Sequence, residues 1–263
     1  FYWFWQYPSF DLNIICFQKL ILDRVHTIQN YNCITMKKMH KLEAVFWDVD
    51  GTIADTSADL IAAANFCFSS LGYPKLLDNE NDAGVAMRGG RAMLELGCQK
   101  IGLNDERFIH QQYPILLNAY SKCLDKHTEF FPYALDAIHK LKLLGINSAI
   151  CTNKPSALAE ELMVRLGARH LFKELIGSDT LSSKKPHPAP FIAAVKGAGG
   201  TVEQSVMVGD TMTDFDTAKA VGVPIIIVDF GFESFDFSHS IPDAVLKSFL
   251  DLPGIVMELL GID

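Results

Sequence analysis

Four short stretches of the chain gather acidic, hydroxylic and basic residues where apolar runs end. Asp48-Val49-Asp50-Gly51-Thr52 closes one run, and Thr152-Asn153-Lys154 closes another. Lys184-Lys185-Pro186 precedes a helical stretch, and Gly209-Asp210-Thr211, with Asp214 four residues after Asp210, closes a third run. A cluster of carboxylates makes a hard-oxygen site suited to Mg2+, which is held by one or two carboxylates, waters and substrate phosphate. A lysine and a Thr-Asn turn can neutralise phosphate oxygens. One carboxylate can attack phosphorus to give an aspartyl-phosphate. A second can protonate the leaving oxygen and then activate water. The set is sufficient for hydrolysis of a phosphomonoester. Aspartates also favour plain surface turns, but that reading does not explain why all of them fall at one rim. Thr152 and Asn153 could instead cap the following helix near Pro155, a role compatible with anion binding.

The elements that must position these groups are legible from residue 43 onward. AVFWDVD reads as a buried strand. GTIADT reads as a turn, with Thr56 or Ser57 capping a helix from about Asp59 to Leu71. Residues 75–128 show no strand pattern, and 84–100 and 107–123 look helical. Strand and helix patterns alternate after Pro132. Strands INSAICT, 175–177, SVMVGD and PIIIVDF are interleaved with helices at 135–144, 156–166, 188–196 and 214–221. Such alternation predicts an α/β fold with a mainly parallel sheet, five-stranded here, whose first and fourth strands are central neighbours. Ligands bind such sheets beyond the carboxyl ends of the strands, where all four stretches fall. The expected domains are a core of residues 41–57 and 131–263 and a helical insertion, residues 58–130.

Of the 263 residues 49% are hydrophobic and 21% charged, the balance of a globular protein. A net charge of −8 argues against a nucleic-acid partner, which needs a basic surface. The six cysteines, Cys16, Cys33, Cys67, Cys98, Cys123 and Cys151, form no CxxC pair and are read as reduced thiols. Residues 1–40 begin with an aromatic cluster and continue into an apolar stretch broken by Gln18 and Lys19, too short to span a membrane. They are expected to lie outside the fold; the alternative is a helix docked on the domain or a partner. The expected setting is cytoplasmic, with no membrane contact, as a monomer or homodimer.

The four stretches, in this order, resemble the four signature motifs of the haloacid dehalogenase superfamily: FWDVDGTIADT, CTNK, SKKPHPAPF and VGDTMTDFDTAKAVG. The resemblance spans residues 43 to 260 and implies a three-layer Rossmann-like core with an inserted helical cap. It implies that Asp48 is the nucleophile and Asp50 the acid/base. Thr152 and Asn153 would hold the transferring phosphoryl group, and Lys185 would bridge nucleophile and phosphate. Asp48, the backbone carbonyl of Asp50, and Asp210 would bind Mg2+, with Asp214 behind them orienting the ligands. Thr211 carries no firm role. An acid at position 50 points to phosphoester chemistry, since a departing halide needs no proton.

The insertion resembles the cap of the branch containing phosphoglycolate phosphatases and β-phosphoglucomutases. The tail IPDAVLKSFLDL resembles the phosphoglycolate phosphatase subgroup. Two positions depart from that subgroup: Pro132-Tyr133-Ala134 stands where Pro-Gly-Val is usual, and Arg88 where a glycine is usual. The implied activity is hydrolysis of a small phosphorylated metabolite, 2-phosphoglycolate first. A sugar-phosphate mutase and a catalytically silent binding module are the competing readings. Asp55 and Asp59 read as acids of a helix's first turn, Arg88 and Arg91 as surface residues of the insertion that could also meet substrate, His187 as a loop residue, Cys151 as core. The phenylalanines at 230, 232, 235 and 237 read as packing groups.

Overall fold

The computed structural model describes residues 44–230 and 235–262. The expected extension at residues 1–40 lies outside the described residues, as do Cys16, Cys33 and Phe232. Strand β1 (Ala44–Trp47) is buried at every position. It pairs in parallel with β4 (Asn147–Cys151) on one side and β6 (Ser205–Gly209) on the other. The sheet extends outward to β5 (Leu175–Ile176) beyond β4, and to β7 (Ile225–Val228) and β8 (Ala244–Leu246) beyond β6. All five pairings are parallel. The expected adjacency of the first strand and SVMVGD is therefore present. The sheet has six strands rather than five, because β8 is a three-residue edge strand with too little apolar sequence to register as one.

Alternate residues of β1 feed two different cores. Val45 and Trp47 face a layer containing α5 (Ala134–Leu143), α6 (Ser156–Arg165) and α9 (Leu252–Leu260). Ala44 and Phe46 face α7 (Ala189–Gly197) and α8 (Met212–Val221). Phe46 packs on Phe191 of α7 with ring centroids 4.6 Å apart. The result is helix, sheet, helix, with both faces of the sheet dry, which is why the strands read as unbroken apolar runs. Full burial of a side chain such as Val45 or Phe46 contributes roughly 1.5–3 kcal/mol.

A four-helix segment interrupts this core after β1. It is entered through β2 (Ala54–Asp55) and left through β3 (Glu129–Phe130), which pair with each other antiparallel. Between them lie α1 (Ser57–Ser69), α2 (Asn79–Met87), α3 (Gly90–Lys100) and α4 (Glu106–Ser121). The helical stretch expected from 84 to 100 is two helices. It breaks at Arg88-Gly89, where Gly89 takes φ 92°. The GTIADT stretch, read as a turn, contributes the β2 bridge. Phe68 of α1 stacks on Phe108 of α4, and a Cβ at Gly97 would come within 2.2 Å of the Phe68 ring. No helix among the described residues is long and apolar enough to cross a membrane.

Asp59 does more than a first-turn acid. It is fully buried, and its Oδ2 accepts from the backbone N–H groups of His127 and Thr128 and from the Thr128 hydroxyl, at 2.9–3.0 Å. The first turn of α1 is thereby tied to the residues just before β3, where the segment returns to the core. Asp59→Ala should destabilise the protein by about 2–4 kcal/mol, because buried donors lose their acceptor. Urea unfolding measures this, and a change under about 1 kcal/mol would show the tie to be dispensable.

Candidate active site

The chain turns sharply where β1 ends. The carbonyl of Val49 accepts from the N–H groups of Thr52, Ile53 and Ala54, which folds the backbone back directly after Asp50. Gly51 sits in this turn at φ 77°, a left-handed conformation that glycine adopts at no steric cost. A Cβ there would also stand 2.3 Å from Asp210 Oδ2. At the end of β6, a Cβ on Gly209 would meet the Asp214 side chain at 2.4 Å. Glycine at both strand ends lets the carboxylates of the two motifs approach each other.

Asp48, Asp210 and Asp214 each offer an oxygen within 4.8 Å of the others. Lys185 lies against them. Its Nζ is 3.0 Å from Asp48 Oδ2 and 2.6 Å from Asp214 Oδ1, and the residue is almost wholly buried. Its neighbour Lys184 is exposed, so Lys185 is the cation of the pair that faces the carboxylates. Asp214 Oδ2 accepts from the N–H and hydroxyl of Thr211 in a capping box at the start of α8. Both oxygens of Asp214 are thus engaged, and it braces Lys185 and the turn at Thr211. Asp210 Oδ1 accepts from the Thr52 hydroxyl at 2.7 Å. Asn153 donates through Nδ2 to the Lys185 carbonyl at 3.1 Å, linking the second and third motifs.

Burial, followed by the repulsion of Asp214 and Asp50, raises the Asp48 carboxyl to about 6 against the pull of Lys185 and the Thr152 hydroxyl. Burial together with Asp214 and Asp48 holds Asp210 well above the usual carboxylate range. Burial alone would depress the Lys185 ammonium, but Asp214 and Asp48 outweigh it and keep the group charged. Three carboxylates share one ammonium here, a crowding of negative charge that a divalent cation would relieve. The donor set, all oxygen and gathered around Asp48 and Asp210, fits a small hard cation.

Asp50 faces elsewhere. Its Oδ1 accepts from the Thr56 hydroxyl at 2.6 Å and from Lys154 Nζ at 2.8 Å. Thr56 does stand at the N-cap of α1, but its side chain makes no capping bond; the hydroxyl goes to Asp50 instead. Lys154 stands in the Thr152-Asn153-Lys154 stretch, but the sequence reading assigned it no role. It is buried, and it also donates to the phenol oxygen of Tyr120 in α4 at 2.7 Å. The available signal was a lysine directly after Thr-Asn at a strand end; nothing in the sequence indicated its partner in the helical segment.

These groups open on two spaces that share Asp48, Met87, Arg88 and Asn153 in their walls. A cavity of about 500 Å3 is bordered by Asp48, Lys185, Asp210, Asn153 and Arg88. A recess of about 80 Å3 runs from Asp48, Asp50 and Lys154 toward Tyr113, Leu117 and Leu158. Arg88 borders both spaces, whereas Arg91 is paired with Glu95 and Glu106 away from them. Phe235 borders the larger cavity while packing on Phe215 and Phe237, and Phe230 packs on Phe131 and Phe249. His187 stays in its exposed loop, hydrogen-bonded to the Ala189 N–H, and Cys151 is core. Cys67, Cys98, Cys123 and Cys151 are free thiols.

Known proteins resemble this chain over most of its length. Residues 45–228 fit the family model of haloacid dehalogenase-like hydrolases. A phosphoglycolate phosphatase of Mesorhizobium japonicum is 32% identical over 209 residues, 78% of this chain and 90% of that protein. A phosphoglycolate phosphatase of Caulobacter vibrioides is 31% identical over 231 residues, 86% of this chain and 96% of that protein. A solved haloacid dehalogenase-like hydrolase from Streptococcus pneumoniae superposes with a TM-score of 0.68 at 23% identity, covering 81% of this chain and 97% of that one. A strand-end carboxylate turn, a buried lysine and a second acidic turn on the neighbouring strand are accompanied by a match over most of the chain: the protein belongs to the haloacid dehalogenase-like hydrolase family.

Proposed function

We propose that this protein is a Mg2+-dependent phosphatase that releases inorganic phosphate from 2-phosphoglycolate through a phosphorylated aspartate. It is a phosphomonoester hydrolase by family and by relatives. The observation that carries the mechanism is Asp48: an aspartate at the cavity wall with one oxygen 3.0 Å from a buried lysine and a second aspartate two residues away. Asp48 attacks phosphorus as the bond to the leaving oxygen breaks, and Asp50 gives that oxygen its proton. Asp50 then takes a proton from water, whose oxygen attacks phosphorus. Inorganic phosphate leaves, and the Asp48 carboxylate is restored. Lys185, Thr152 and Asn153 hold the oxygens of the transferring group. Asp48, the Asp50 carbonyl and Asp210 would hold the cation, with Asp214 bracing the lysine beside them. When bound, the cation offsets the repulsion between anionic nucleophile and anionic ester and polarises the phosphoryl oxygens.

Residues 58–130 act as a cap in this reading, closing the site and excluding water. The size of the recess supports a small leaving group. At about 80 Å3 it is much the smaller of the two spaces. The substrate name comes from the relatives. Arg88, bordering the recess, supplies a guanidinium suited to a carboxylate.

Phosphate release from a panel of phosphomonoesters, with and without Mg2+, should be metal-dependent and concentrated on 2-phosphoglycolate. Release spread evenly over many esters would remove the substrate assignment, and no release from any would overturn the phosphatase. Asp48→Asn should abolish turnover with the melting temperature kept; normal turnover in that variant would exclude an aspartyl-phosphate at this position. Asp50→Asn should slow turnover by about 10²–10⁴-fold, and a parental rate would remove Asp50 as acid/base.

A further inference from the structure

The function proposed above uses Asp50 but gives no reason for its orientation. Two donors converge on the same oxygen of its carboxylate. The Thr56 hydroxyl and Lys154 Nζ both reach Oδ1, at 2.6 and 2.8 Å, and no hydrogen bond among the described residues reaches Oδ2. One oxygen is pinned and the other is left for the reaction. Lys154 is itself held from two sides. It follows Thr152 and Asn153 at the end of β4, and its backbone N–H donates to the Thr152 hydroxyl at 3.1 Å. Its ammonium donates to the Tyr120 phenol oxygen at 2.7 Å and lies 4.4 Å from the centre of that ring. Tyr120 and Lys154 are both buried, and both line the recess. Tyr120 belongs to α4 of the helical segment, while Lys154 and Asp50 belong to loops at the sheet's rim.

A buried ammonium is costly unless paired, so a lysine kept here must have its charge met by a specific partner. Asp50 meets it, and Tyr120 takes a further hydrogen bond. We infer that Lys154 is a positioning residue for Asp50, holding the carboxylate so that Oδ2 faces the leaving oxygen, and that Tyr120 completes this arrangement from the helical segment. The inference rests on Asp50 being the acid/base. Lys154 touches no reacting atom in this role; it acts through Asp50. The proton travels as before, from Asp50 to the leaving oxygen and from water back to Asp50, and Lys154 neither gains nor loses one.

The test is a double-mutant cycle on the rate of phospho-enzyme formation, read by rapid quench with two esters. One is 2-phosphoglycolate, an alkyl phosphate whose leaving oxygen needs a proton; the other is p-nitrophenyl phosphate, whose leaving group departs without one. Lys154→Met should slow phospho-enzyme formation from the alkyl ester by about 10²-fold with KM nearly unchanged. It should have little effect with p-nitrophenyl phosphate. Asp50→Asn should give the same split, and the double variant should be no slower than Asp50→Asn alone, because both substitutions remove one function. Additive losses, equal losses with both esters, or a rise in KM confined to carboxylate-bearing esters would each overturn the inference and make Lys154 a structural or substrate-binding cation. Tyr120→Phe keeps the ring and removes only the phenol oxygen. It should show a weaker form of the split, about 10-fold, and it carries the test if Lys154→Met fails to fold. A parent enzyme without activity on either ester would refute the phosphatase itself, which separates that failure from this one.

Discussion

One ammonium holds the site together. Lys185 is nearly out of contact with water and is shared between Asp48 at the end of β1 and Asp214 in the first turn of α8. The desolvation of a buried lysine is tolerable only with carboxylates at hydrogen-bond distance, and the crowding of carboxylates is tolerable only with a cation among them. Each condition supports the other. The loop that carries Lys185 is locked by the Asn153 amide, and Asp214 is locked by Thr211. The four motifs, scattered over more than 160 residues of sequence, become one polar network at one rim of the sheet. The surplus of negative charge that remains is a property of the network rather than of any single residue, and it is what a hard cation would balance.

What could be read in advance follows from where the chain is buried. Strands covered on both faces must be apolar throughout, so β1, β4, β6 and β7 were legible, and the acids at their carboxyl ends stood out against that background. β8 was not, because it lies at the sheet edge with Val245 exposed and Ala244 half-buried. β2 and β3 are two residues each, too short for any periodicity. The break between α2 and α3 was missed because apolar residues keep a helical pattern on either side of it, Val85, Ala86 and Met87 before and Ala92, Met93 and Leu94 after. The Gly89-Gly90 pair stood between them, and such a pair is a turn signal that the sequence reading passed over.

The site divides in the same way. Asp48, Asp50, Lys185 and Asp210 were found by type and position, and the structure brings Asp48, Lys185 and Asp210 together with Asp214. The partners of Asp50 were not found. Tyr120 lies 34 residues before Lys154 and on another element, so their meeting depends on how the helical segment returns to the sheet. Thr56 read as a helix cap for a sound local reason, and its hydroxyl took a different acceptor. Asp59 looked like an ordinary first-turn acid, and its burial against residues 127–128 is a long-range fact that no local pattern encodes. Short-range preference marks where polar groups occur; the fold decides which of them pair.

The unlike packing of the two faces of β1 carries a further consequence. Ala44 and Phe46 are shaped for one core, Val45 and Trp47 for the other, and Asp48 is the next residue along. Sliding the strand back by one residue would withdraw Asp48 by about 3.3 Å and exchange every side chain between the faces. Trp47 would then be driven into the space fitted to Phe46 and Phe191. Greasy side chains remote from any substrate therefore act as the ruler for the aspartate, and the depth at which it sits in the cavity is metered by the volume of a tryptophan.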